Sequence, residues 1–325
     1  MKAWLLTEPG SLDHLKWGEI EEPEIQAGEL LVAVKAVALN PVDYKVALNG
    51  NPAWKYPHIV GVDLAGEVVS VKNAVTNFKE GDRIAIHTSL ARKGAFADYA
   101  AVDARAAALI PEGVSYEEAA SILCAGMTAF EAVLQKLNTT QKRNFLIHAG
   151  AGGVGCFAIQ LAKQLGLKVF TTASDENHEW VKSLGADIAI DYKKEDVTKR
   201  ILEETEARGM DLILNTVGRD VATADLERLA FSGQLAFIAG PPDTSGVKPF
   251  SLSLSIHEVA LGAAHASKDE RAICNLSFMA TELMEMVKDK KLNPLITEVL
   301  PHTELVEGLK KLQSRHVRGK IIVTF

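Results

Sequence analysis

The sequence predicts an α/β protein of two domains: a β-rich, barrel-like domain and a doubly wound parallel sheet. Three observations carry that reading. Short β-branched segments, punctuated by glycine and proline, fill the chain up to the Pro-Glu-Gly at 111–113. From Arg143 onward, strand-like and helix-like segments alternate, as βαβ units do. A last β-branched segment at 320–325 follows a long helical excursion, which implies that the tail returns to the first domain. The chain of 325 residues, 47% hydrophobic and 24% charged, is long enough for two cores without disulfide or metal staples.

Taken in order, residues 30–39 are apolar apart from Lys35, and 59–71 are β-branched and broken by glycines. Residues 83–87 and 96–102 are short strand candidates bounded by Gly81-Asp82 and Gly94. The texture changes at Ser115, where Ser115 and Glu118 make a capping box before a helical pattern over 117–134. Strands are expected at 145–148, 168–173, 188–191, 212–217 and 234–239, with helices at 154–165 and 176–184 stopped by Gly166 and Gly185. The apolar stretch 251–264 alternates in places and suits an edge strand, one that would pair across a two-fold axis in a homodimer. Helices at 272–288 and 303–312 flank a loop at Asn293-Pro294. The expected division is 1–122 with 268–325 for one domain and 123–267 for the other.

Lys and Arg number 35 against 42 Asp and Glu, a net charge of −7, which argues against a nucleic-acid binder held by phosphate contacts. Cys124, Cys156 and Cys274 are odd in number and widely spaced, with no CxxC, so neither a disulfide framework nor a cysteine zinc cage is expected. The apolar part of the opening MKAWLLTEPG is too short for a signal segment, and no run approaches the roughly 18 apolar residues of a membrane span. The expectation is a reduced, cytoplasmic compartment.

The strongest motif is His148-Ala-Gly-Ala-Gly-Gly-Val-Gly155, in which Gly150, Gly152 and Gly155 fit GxGxxG. It follows a strand and opens an amphipathic helix. Glycines let the backbone turn tightly and approach a pyrophosphate, and the free N–H groups of Gly153, Val154 and their neighbours at the helix start hold the anion. Cys156 reads as a small packing residue. The second strand ends Thr171-Thr172-Ala173-Ser174, without the carboxylate that holds the ribose of NAD. That neutral end favours NADP, with Ser174, Asn177, His178, Tyr192 and Lys193 as hydrogen-bonding candidates for a 2′-phosphate. Asp175, one residue further on, keeps NAD open, and no arginine is placed to clamp a phosphate. Val217, Gly218, Ala239 and Gly240 follow two further strands, at the carboxyl ends where ligands gather.

Four blocks, Asn40-Pro-Val-Asp43, Gly61-Val-Asp-Leu-Ala-Gly66, Ala125-Gly-Met-Thr-Ala129 and Ala149–Gly155, make the chain resemble the medium-chain dehydrogenase/reductase superfamily, and within it the zinc-free quinone oxidoreductase branch. Gly81-Asp82-Arg83, Leu184-Gly185-Ala186-Asp187 and Arg318-Gly319-Lys320 agree. The resemblance implies a GroES-like β-barrel catalytic domain, an inserted Rossmann domain, a nicotinamide cofactor in the cleft, Thr128 beside the nicotinamide, and a dimer. Zinc-using relatives carry a Cys where Asn40 stands and a His where Val62 stands, so neither position supplies a ligand here and no metal is expected.

Without a metal to quiet an alkoxide, an isolated ketone is a poor hydride acceptor. A quinone or an α,β-unsaturated carbonyl spreads the charge over its own π-system. The expected activity is therefore NADPH-dependent, zinc-independent reduction of a quinone or enone, with the protein supplying position and a few hydrogen bonds. Three residues are candidates on the catalytic side. Asn40 either donates to a substrate oxygen or fixes the turn before Pro41; Asp43 either holds local structure or moves protons; Tyr56 either protonates the enolate carbon or serves as an apolar wall. Two alternatives remain: a zinc-dependent NAD(P) alcohol dehydrogenase, and a non-catalytic NADPH-binding protein of the same fold.

Overall fold

A computed structural model describes residues 1–73, 75 and 77–325. By its contacts the chain divides into two compact units, Met1–Met127 with Leu261–Phe325, and Thr128–Ala260. Each division lies a few residues from the expected one. The 261–267 segment belongs with the first unit because the His265 imidazole donates to the His87 carbonyl at 3.0 Å.

The first unit begins with β1 (Lys2–Leu6) and β2 (Leu15–Glu19), an antiparallel pair that the sequence reading passed over. β3 (Glu29–Ala38) is followed by a helix at Pro41–Asn49, also unforeseen. The expected strand over 59–71 is two: β4 (His58–Ile59) and β5 (Asp63–Val71). Gly61 between them has φ +107°, and a Cβ there would stand 2.4 Å from the Phe96 ring, so no regular strand passes through it. β6 (Arg83–His87), β7 (Tyr99–Asp103) and β8 (Ala108–Leu109) complete the segment. The Ser115 hydroxyl accepts from the Glu118 N–H at 3.1 Å while the Glu118 carboxylate accepts from the Ser115 N–H at 2.9 Å, the expected capping box. The helix it opens, Tyr116–Ser121, gives way to π-type turns at Leu123–Met127 and Glu131–Lys136 rather than running on unbroken.

The second unit holds β9 (Asn144–Ile147), β10 (Lys168–Thr172), β11 (Ile188–Ile190), β12 (Met210–Asn215), β13 (Leu229–Phe237) and β14 (Ser255–Glu258). All pair in parallel, in the order β11-β10-β9-β12-β13-β14. The order reverses between β9 and β12, the switch point at which an open sheet of this kind leaves a crevice. Leu146, Phe170, Ile190, Ile213 and Leu235 form the core of this sheet. β14 lies at its edge, inside the stretch read as an edge strand.

The tail adds β15 (Ile296–Pro301) and β16 (Lys320–Thr324) to the first unit. β16 pairs antiparallel with β3, so the tail does return to a sheet of the first unit. β3 also pairs with β5 and β7. Among the described residues, no helix is long and apolar enough to cross a membrane.

Candidate functional site

In the second unit the glycine-rich turn joins β9 to the helix Gly153–Gln164. A Cβ on Gly150 would stand 2.0 Å from Thr171 Oγ1, and one on Gly155 would stand 2.4 Å from the Ala149 carbonyl oxygen. The turn therefore lies against β10 and the helix against the turn, closer than any other residue allows. Gly152 caps the helix, and its Cβ position is nearly open, with only the Ala149 oxygen at 3.3 Å. Cys156 is buried; its thiol donates to the Gly150 carbonyl at 3.1 Å and accepts from the Trp180 indole at 3.3 Å, the packing role expected of it.

At the end of β10, Asn177 Nδ2 donates to Ser174 Oγ at 2.9 Å, and Ser174 Oγ donates to Glu176 at 3.0 Å. The ambiguous Asp175 is 65% exposed and accepts from Lys194 Nζ at 2.9 Å. The Lys194 bond and charge hold its carboxyl below the usual carboxylate range. Lys193 lies over the Tyr192 ring, 5.9 Å from its centroid. Two lysines and an exposed tyrosine thus stand where the sequence showed no arginine. Past β12, the Val217 and Gly218 N–H groups donate to Asn215 Oδ1 at 3.0 and 3.1 Å. Gly218 opens the helix Arg219–Asp225, Ala239 and Gly240 follow β13, and Thr128 is buried at the start of the unit.

In the first unit a buried polar cluster gathers Asn40, Asp43, Asp63 and Lys320. Asp43 Oδ2 accepts from the Asn40 N–H at 2.8 Å and Oδ1 from the Val62 N–H at 3.2 Å, fixing the first turn of the helix after Pro41. Asn40 Nδ2 donates to Asp63 Oδ2 at 2.7 Å and to the Ala38 carbonyl at 3.0 Å. Asn40 Oδ1 accepts from Lys320 Nζ at 2.6 Å, and Lys320 also donates to the Leu39 carbonyl at 3.2 Å. Both Asn40 amide hydrogens are spent, so it has none to offer a substrate oxygen; in this geometry it fixes structure. Burial pushes the Asp43 carboxyl up to about 8, with the nearby Asp63 charge adding to it. Burial likewise raises Asp63 to about 6, against the pull of Lys320. Tyr56 stands apart in the loop before β4, packed edge-on against Trp54 and 37% exposed. Lys320 and Asp63 lay inside motif blocks of the sequence, but nothing in the sequence joined residues so far apart.

A doubly wound sheet carrying this turn, spliced into a GroES-like β-domain, is the architecture of a nicotinamide-dependent dehydrogenase. The profile of the alcohol dehydrogenase GroES-like domain matches residues 26–112, and that of zinc-binding dehydrogenase matches 153–278. An NADPH-dependent alkenal/one oxidoreductase of Arabidopsis thaliana is 40% identical over 99% of this chain and 79% of its own length. The solved quinone oxidoreductase of Pseudomonas syringae is 30% identical, with a TM-score of 0.88 over 100% of this chain and 99% of its own. A mycobacterial protein solved with NADPH is 27% identical, with a TM-score of 0.86 over the whole of both chains. The chain belongs to the quinone oxidoreductase branch of the medium-chain dehydrogenase/reductase superfamily.

One profile implies zinc, which the residues present can be tested against. A catalytic zinc takes three side-chain ligands and keeps one position open. Val62 has no donor atom, and the Asn40 amide is committed. Asp63, His87 and Cys124 do gather, with ligand atoms all within 4.8 Å of one another. Yet Asp63 Oδ1 already accepts from the Cys124 N–H at 3.0 Å and Oδ2 from Asn40. Burial pushes the Cys124 thiol well above its ordinary value, with Asp63 adding to the rise. Asn40 and Val62 therefore supply no zinc ligand, and Asp63 is already engaged by two donors.

Proposed function

We propose that this chain is a zinc-independent reductase that uses NADPH to saturate α,β-unsaturated carbonyls, with quinones as related acceptors. The observation that carries the reading is the pair of close approaches at Gly150 and Gly155, which shape the turn after β9 for a pyrophosphate. NADPH, when bound, supplies the hydride. The helix N-terminus at Gly153 and Val154 receives the phosphates. Ser174, Asn177 and Tyr192 with Lys193 and Lys194 receive the 2′-phosphate, Lys194 keeping Asp175 from repelling it. Thr128, Val217, Gly218, Ala239 and Gly240 line the nicotinamide end.

Hydride delivered to the β-carbon of an enone leaves an enolate, and a proton then adds at the α-carbon. Tyr56, the most exposed of the three catalytic candidates, is the proton donor in this reading. Asn40 and Asp43 hold the backbone from which that loop departs. The chain works as a homodimer paired through β14, and in a reducing, cytoplasmic compartment, where three cysteines outside any disulfide are at home.

The test is a comparison of NADPH and NADH binding, followed by a screen of enones, quinones and simple ketones for cofactor oxidation. Tighter NADPH binding with turnover on enones and none on simple ketones is expected. Tight binding without turnover on any acceptor would favour a binding protein. The grouping of Asp63, His87 and Cys124 is what favours the competing zinc alcohol dehydrogenase, which would turn over simple alcohols and ketones.

A further inference from the structure

His148, the residue just after β9, is buried in a polar chain that spans the second unit. Its Nδ1 lies 3.1 Å from Thr172 Oγ1, and its Nε2 lies 2.8 Å from Asp225 Oδ1. The Thr172 oxygen also accepts from the Ala149 N–H at 3.1 Å. Ala149 opens the glycine-rich turn at φ +51°, a conformation that a non-glycine residue keeps only when its surroundings impose it. On the other side, Asp225 Oδ2 accepts from Asn215 Nδ2 at 2.8 Å. Asn215 Oδ1 in turn accepts from the Val217 and Gly218 N–H groups. Thr216 Oγ1 closes the loop by donating to the His148 carbonyl at 2.8 Å.

The partners assign the tautomer. With Nε2–H facing Asp225, Nδ1 accepts from the Thr172 hydroxyl, and each of these groups is satisfied. Two runs of donors then converge on one carboxylate: one from the phosphate turn through Thr172 and His148, the other from the Val217–Gly218 turn through Asn215. Arg228 Nη1, 2.7 Å from Asp225 Oδ1, balances its charge. Burial opposes ionisation of Asp225, but His148, Asn215 and Arg228 together hold it below the ordinary carboxylate range.

We infer that His148 and Asp225 are a positioning couple that sets the phosphate-binding turn and the turn at the nicotinamide end in register, so that the two ends of the dinucleotide are gripped as a unit. This rests on the reading of the second unit as the NADPH-binding one. Neither residue need touch the cofactor. A buried network with every member satisfied rigidifies what it joins, and small misplacements of reacting groups cost about 10²-fold in rate.

The test uses the full chain and two probes: NADPH, and 2′,5′-adenosine bisphosphate, which reaches the phosphate turn but has no nicotinamide. Their affinities and the turnover at saturating NADPH are measured for three variants. Thr172→Val is expected to weaken both probes alike. Asn215→Ala is expected to weaken NADPH about tenfold and slow turnover while leaving the bisphosphate unchanged. His148→Phe, at the junction, is expected to do both, with His148→Gln recovering part of the loss. A folded His148→Phe protein that binds both probes and turns over like wild type overturns the inference, as does one that loses only the bisphosphate. If His148→Phe does not fold, the Thr172→Val/Asn215→Ala double variant decides. Effects on NADPH affinity that fail to add support coupling through His148, and strict additivity overturns it. Wild-type protein that binds neither probe would defeat the functional reading itself, a separate result.

Discussion

Asp225 in the dinucleotide-binding unit and Asp43 and Asp63 in the catalytic unit are all fully buried, yet their carboxyls move in opposite directions. Asp225 has an arginine at 2.7 Å and an imidazole at 2.8 Å. Asp43 has two backbone N–H groups, and it has Asp63 as a neighbour. Asp63 has an amide and an N–H, and Lys320, bonded to Asn40, acts on it by charge without a direct bond among those described. All three are buried, so the closeness of a cation decides which way each carboxyl moves. The difference leaves an ionised carboxylate, Asp225, in the network beside the glycine-rich turn, and a carboxyl inclined to keep its proton, Asp43, in the other unit.

The sharpest way to break this comparison is to make the same substitution in both places. Asp225→Asn leaves Arg228 and His148 facing a neutral amide and should cost about 3–5 kcal/mol, the range for a broken buried ion pair. Asp43→Asn replaces a group already inclined to be neutral and should cost only about 1 kcal/mol, one hydrogen bond. Denaturant midpoints of the two variants compare them directly, and equal losses would remove the distinction. Next in size, Lys320→Met removes the cluster's cation and its bonds to Asn40 and Leu39, an expected loss of roughly 2–3 kcal/mol.

Opposite pH dependence follows from the same shifts. The unfolded chain ionises Asp43 and Asp63 near 3.8, while the folded chain holds their protons to about 8 and about 6. Their contribution to stability is therefore greatest below pH 3.8, falls as the pH rises, and levels off beyond about 8. Asp225, with a depressed folded value, contributes above 3.8 and loses that contribution as the pH falls through its folded value. Hydrogen exchange between pH 5 and 8 should show the amides of Asn40 and Val62 opening more readily as pH rises, while those of Val217 and Gly218 do not. Asp43→Asn should flatten the first trend. The smallest effect on stability is expected from Lys194→Ala, because its pair with Asp175 is exposed to solvent. That variant should nonetheless narrow the preference for NADPH over NADH, because it frees Asp175.

Much of this architecture was legible in the residues. The glycine-broken strands, the capping box at Ser115, the βαβ alternation from Arg143 and the glycine-rich turn all rest on local patterns, and local patterns are what a sequence displays; the return of the tail to the first domain followed from the order of the elements, but its pairing with β3 did not. β1, β2 and the helix after Asn40 escaped because their burial is uneven and the helix is only weakly amphipathic. The polar clusters escaped for another reason. Asn40 and Lys320 lie 280 residues apart, and His148 and Asp225 lie 77 apart. Such pairs are set by sheet register, which no spacing rule reports. Asn40 shows the consequence: its motif singled it out, but only the structure reveals that its amide is spent on Asp63 and Ala38.

Metal content measured together with enone turnover tests the central claim most directly. Protein dialysed against a strong chelator, assayed for zinc and then given NADPH and an enone, should keep its full rate with far less than one zinc per chain. Loss of turnover on chelation, restored in proportion to added zinc, would contradict the account and turn attention to Asp63, His87 and Cys124.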